Sequence, residues 1–205
     1  MWLSLAAFVA AAGLLTITPG VDTALVLRAS ASQGPRAGAA AALGVCGGLF
    51  VWGAGAAFGL NALLSASASA YLALKWAGAA YLCFLGLRLL FKPRAGLAIE
   101  EAASGGDVAA LRRGFLTNVL NPKVGVFYAT FLPQFIPLGV NVAAFSLLLA
   151  SIHAALTLVW FSALIALTVP LGRWLRAPGV TRALDRLTGC VFVGFGARLA
   201  LASRG

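Results

Sequence analysis

Six apolar runs, each long enough to cross a bilayer, divide the chain at roughly 3–27, 38–64, 69–91, 114–135, 140–170 and 183–203. A helix rising about 1.5 Å per residue needs about 20 apolar residues to span the hydrocarbon layer. Of the 205 residues, 61% are hydrophobic and only 10% charged, and almost all the charges lie between the runs. A soluble domain cannot hide that much apolar surface. The pattern predicts an all-α integral membrane protein with six transmembrane helices in one domain over 1–205.

Basic residues set the expected direction, because Lys and Arg gather in cytoplasmic loops. The first connection carries Arg28 and Arg36, and the third carries Arg88, Lys92, Arg94, Arg112 and Arg113. The fifth carries Arg173, Arg176, Arg182 and Arg186. The N-terminus and the even connections have none, apart from Lys75 at the edge of the third run. Both termini are therefore expected to face outward from the cell (inner) membrane, with Arg198 and Arg204 running against the rule. The net charge of +10 suits loops facing anionic lipid rather than nucleic acid. The start, Met1-Trp2-Leu3, lacks a basic n-region, so the first run is expected to be a retained span. The connection over about 92–113, with Glu100, Glu101 and Asp107, is expected to be a mobile cytoplasmic loop.

The two halves resemble each other. Pro19 and Pro122 are offset by 103, Val51-Trp52 and Val159-Trp160 by 108, and Gly86-Leu87-Arg88 and Gly196-Ala197-Arg198 by 110. Three spans per half is an odd number, so the halves, about 1–91 and 114–203, must insert in opposite senses. A 3+3 inverted repeat of this kind is a common build for secondary transporters, with substrate held where the repeats meet. In that frame Arg88 and Arg198 are counterparts, each expected to snorkel to its own interface.

Each half holds a helix breaker and a charge inside an apolar run: Thr18-Pro19-Gly20-Val21-Asp22 and Asn121-Pro122-Lys123. A charge at the bilayer centre costs about 3 kcal/mol on insertion scales and is functional by default. Broken helices are tolerated at that depth only against protein or a watery cavity. Helices 1 and 4 are thus expected to be broken near mid-depth. Proline frees carbonyls in the preceding turn, here near Leu15 and Thr16, which suit a cation. The half-helices after Pro19 and Pro122 offer a positive dipole end, with Asp22 in the first turn of one and Asn121 as N-cap of the other. Thr18, Pro19, Gly20, Asp22, Asn121, Pro122 and Lys123 form the candidate substrate-binding set. Asp22 and Lys123 are expected to meet as an ion pair matching a zwitterion's ammonium and carboxylate, with protons competing at Asp22. A static pair that only fixes packing is the competing account.

The chain resembles the LysE/RhtB amino-acid exporter family along its whole length. The resemblance is carried by Thr18-Pro19-Gly20-Val21-Asp22, by Asn118-Val119-Leu120-Asn121-Pro122-Lys123 and by Phe127-Tyr128-Ala129-Thr130-Phe131-Leu132-Pro133-Gln134-Phe135. The family commonly has a second proline where Val21 stands, so the first break is milder here. The resemblance implies proton-driven export of amino acids from the cytoplasm, with an amino acid and protons as partners.

His153, halfway along the fifth run, suits a proton relay and joins Asp22 as a proton-coupling candidate, although a histidine bonded to a neighbouring helix is the plainer reading. The glycines of the second run are expected to serve close helix packing. Lys75 and Asp185 are expected at the interfaces. Cys46, Cys83 and Cys190 form no Cys-x-x-Cys or metal spacing, which disfavours a membrane redox conduit. A cation or metal exporter would need more carboxylates at mid-depth than Asp22. With no phosphate-binding loop, no catalytic cluster and no cofactor or metal motif, the chain is not expected to be an enzyme. A homodimer is the symmetry-based default.

Overall fold

The computed structural model describes residues 2–66, 68–93, 105–137, 139–167 and 177–201. Arg94, Glu100, Glu101, Arg173, Arg176 and Arg204 lie outside the described residues, as do the side chains of Lys75 and Arg198. Every described element is helical: α1 (Trp2–Ile17), α2 (Val21–Gln33), α3 (Pro35–Ala66), α4 (Ala68–Phe91), α5 (Gly106–Val119), α6 (Pro122–Val126), α7 (Val142–Ala166) and α8 (Pro178–Leu201). After α6 the chain continues as a π-helical turn, Phe127–Phe131, and a 3-10 turn, Leu132–Phe135.

Among the described residues, Pro35–Gly59 and Val142–Ala166 are long and apolar enough to cross a membrane as single helices. The α1–α2 pair qualifies as a third span, bent by 54° at its break. Pro19 causes that bend, because it cannot donate to the carbonyl of Leu15 and its ring crowds the turn before it. Gly20 sits extended at the start of α2, and its carbonyl accepts from the N–H of Ala24. The second break falls at Leu120 and Asn121, one residue ahead of Pro122. There the Asn121 side chain accepts from the Lys123 N–H at 3.0 Å, the predicted N-cap.

One expectation changes. The third connection is not loop throughout: α5 begins at Gly106, with Asp107 in its first turn. Its polar start hides it from an apolar count, yet Ala110, Gly114 and Asn118 are buried on one face, one helical turn apart. Asp185, expected at an interface, is fully buried on α8, in a stripe with Thr181 and Thr188 at helical spacing.

Two apolar clusters flank the breaks. One is aromatic, with Phe8 of α1 against Phe127, Phe131 and Phe135, and Phe192 of α8 beside Phe131. The other joins Val26 and Leu27 of α2, Ala41 and Val45 of α3, Ala110 of α5 and Phe161 of α7. Glycines allow the closest crossings. A Cβ on Gly44 would lie 2.0 Å from the Leu111 carbonyl oxygen, and one on Gly114 would lie 2.1 Å from that of Ala41. Neither contact leaves room for a side chain. Gly55 and Gly59, by contrast, face open space. Gly44→Leu should force α3 and α5 apart and cost at least about 1–3 kcal/mol. Thermal unfolding in detergent checks this, with Gly55→Ala expected to match the parent; an unshifted midpoint for Gly44→Leu would refute the tight crossing.

Candidate functional site

The two breaks face one cavity of about 40 Å³, room for about three waters. Leu15, Thr18, Gly20 and Asp22 line it from the first break, and Asn118, Asn121 and Lys123 from the second. His153, Thr157 and Phe161 close it from α7, and Val45 and Leu49 from α3. The chain thus brings together, from positions about a hundred residues apart, five of the seven substrate-site candidates and both proton candidates. Pro19 shapes the break without lining this cavity, and Pro122 lines a neighbouring one.

Asp22 is held from the other half of the chain. Its Oδ2 accepts from the side-chain amides of Asn118 at 2.9 Å and Asn121 at 3.1 Å. Its Oδ1 is buried without a hydrogen-bond partner among the described residues. A buried acceptor left unmade costs about 1–3 kcal/mol, more on a charged group, so a donor arriving at Oδ1 is favoured. Asn118 both bonds across helices and lines the cavity, and a Cβ on Gly48 would come within 2.5 Å of its Oδ1. Trp52 donates its indole N–H to the Asn118 carbonyl at 3.2 Å, a second bond on a carbonyl that also accepts from the Asn121 N–H.

Lys123 reaches across to the first break. Its ammonium donates to the carbonyls of Leu15 at 2.9 Å and Thr18 at 3.0 Å. The Leu15 carbonyl is the one Pro19 frees, as expected. The second carbonyl is that of Thr18 rather than Thr16, because Thr18 is the last residue before the proline and its carbonyl has left the helical ladder. Asp22, Lys123 and His153 line the same cavity. Acid and base therefore share one chamber, and each also has neutral partners that compensate its burial.

Two further contacts were not readable from spacing. The Thr18 hydroxyl donates to the Leu14 carbonyl at 2.6 Å and lies 2.6 Å from the Thr188 hydroxyl of α8. The Tyr128 hydroxyl lies 3.2 Å from Nδ1 of His153, with the rings stacked 5.7 Å apart. Tyr128 sits on the π-helical turn, a distortion frequent at functional sites. His153 is thus both bonded to a neighbouring segment and part of the cavity wall. Gln134 donates to the Thr130 carbonyl one turn back, at 3.0 Å. Cys46, Cys83 and Cys190 are free thiols.

The LysE type translocator profile matches residues 14–203. The chain is 31% identical to the uncharacterized membrane protein YrhP of Bacillus subtilis, over 97% of this chain and 99% of that protein. It is 31% identical to the homoserine/homoserine lactone efflux protein of Salmonella typhi, over 96% of this chain and 95% of that one. An uncharacterized membrane protein of Pseudomonas aeruginosa is 35% identical over 91% of this chain and 90% of its own length. No solved structure matches. With its helical architecture, its apolar spans and a family match over nearly its full length, this chain belongs to the LysE type translocator family of membrane proteins.

Proposed function

We propose that this chain exports a neutral amino acid, or a close derivative, from the cytoplasm in exchange for protons. The observation that carries the reading is the single cavity where Asp22 and Lys123 are positioned by two interrupted helices. Asp22 would take the substrate's ammonium at Oδ1, and Lys123 with the N-terminus of α2 would take its carboxylate. Thr18, Gly20 and Asn121 would complete the pocket, with Pro19 and Pro122 setting the bends. A proton arriving at Asp22 would release the ammonium, and His153, oriented by Tyr128, would pass that proton along.

The relative named for efflux of homoserine and homoserine lactone sharpens this. Both molecules carry an ammonium, but the lactone has no free carboxylate. The shared handle is therefore the ammonium, which gives Asp22 the larger role.

The framework would be a six-span, single-domain 3+3 inverted repeat, with the halves at about 1–91 and 114–203 and both termini outward. A reciprocal contact supports it. A Cβ on Gly86 of α4 would lie 2.7 Å from the Gly189 carbonyl oxygen, and one on Gly189 of α8 would lie 2.7 Å from that of Gly86. Contacts of this mutual kind arise between elements related by a twofold axis. The cavity's small volume also fits alternating access, since a substrate with a side chain needs the half-helices to part.

The test is an efflux panel in cells loaded with dipeptides. Neutral amino acids, homoserine among them, should leave faster than lysine, and a protonophore should abolish the difference from cells lacking the protein. Efflux no greater than in those cells, for every amino acid, would refute the proposal.

A further inference from the structure

A second cavity, of about 250 Å³, lies on the other side of the wall made by Thr18 and Lys123. Arg88 and Leu89 of α4 line it, with Lys92 just past the end of α4, Pro122 of α6 and Phe192 of α8. Arg88, expected to snorkel to the interface, also helps line this chamber, which shares Thr18 and Lys123 with the central site. Lys92 and Arg88 are exposed, and Lys123 is half-buried.

The contrast with the central cavity is in charge. The central site has one acid and one base. The second has three cations, and no acid lines it among the described residues. Opposite charges favour an anion, and a substrate ammonium would be repelled. Leu89, Pro122 and Phe192 add apolar surface, which suits a hydrocarbon body beside the anionic group. The volume is several times that of the central cavity.

We propose that this second cavity is a binding site for a net-anionic amphiphile, a carboxylate on an apolar body of amino-acid size, such as an N-acylated amino acid. Arg88 and Lys92 would hold the carboxylate at the mouth, and Leu89 and Phe192 would pack the body. The same chemistry is present in an acidic lipid, so the lipid must be varied in the test. The proposal rests on the second cavity alone and does not require the export reading.

Purified protein in phosphatidylcholine nanodiscs is titrated with N-acetyl-leucine by calorimetry. Saturable binding is expected. The double variant Arg88→Gln, Lys92→Gln should weaken it at least about tenfold, the loss of one or two charge-assisted hydrogen bonds. Both side chains are exposed, so this variant should remain monodisperse. Asp22→Asn should retain the binding, and leucine methyl ester, which lacks a carboxylate, should not compete. No saturable binding, or binding lost in Asp22→Asn and unchanged in the double variant, would overturn the proposal. Loss of binding when phosphatidylglycerol replaces part of the phosphatidylcholine would assign the cavity to lipid headgroups and overturn it equally. A failed efflux panel with intact N-acetyl-leucine binding would refute the export reading alone.

Discussion

Asp22→Asn should abolish export while leaving the protein folded and inserted. The substitution is unusually clean at this site. An asparagine oxygen can replace Oδ2 and keep both bonds from Asn118 and Asn121. Its amide nitrogen then falls where Oδ1 lacked a partner, so packing is preserved. The negative charge is gone, and the acceptor proposed for the ammonium has become a donor. A hydrogen bond to a charged group is worth about 1.5–3 kcal/mol, and a donor facing an ammonium adds repulsion. Export should therefore drop at least about a hundredfold. Efflux from dipeptide-loaded cells measures it, normalised to protein in the membrane fraction. Wild-type efflux at equal expression would remove Asp22 from the mechanism.

Lys123→Met should separate two substrates. Methionine keeps the length and apolar stem but cannot donate to a carboxylate. Efflux of homoserine should fall about tenfold or more, consistent with the loss of one charge-assisted hydrogen bond. Efflux of homoserine lactone should fall less, since it has no carboxylate to lose. Part of the loss for both will come from the Leu15 and Thr18 carbonyls, which the variant leaves without their ammonium. Measuring the ratio of the two effluxes cancels that shared part. An unchanged ratio would mean that Lys123 only braces the break.

Much of the architecture was legible because proline and lone charges are loud signals in apolar sequence. Pro19 and Pro122 located both breaks to within a residue or two, and Asn121 was read correctly as a cap. What lay beyond reach were contacts between distant segments. No spacing links Asn118 to Asp22, or Tyr128 to His153, because folding alone brings them together. Lys123 was expected to face Asp22 directly. Its contact with the freed carbonyls depends on the bend angle, which residue types do not encode. The start of α5 was missed because its helical face is polar on one side, and an apolar count penalises such residues. The burial of Asp185 beside Thr181 and Thr188 was likewise invisible, because it depends on which helix packs over α8.

The bond from Lys123 to the Leu15 carbonyl joins residues 108 positions apart. During synthesis, the first bend therefore leaves the ribosome long before the ammonium that ties it down exists. A bare carbonyl has no water to turn to among acyl chains. Until the later segment arrives, α1 and α2 must keep that oxygen wet or shielded, so the first broken span cannot settle into its mature shape alone. Biogenesis of this protein thus has a built-in order, in which the early kink waits for its late-made clasp.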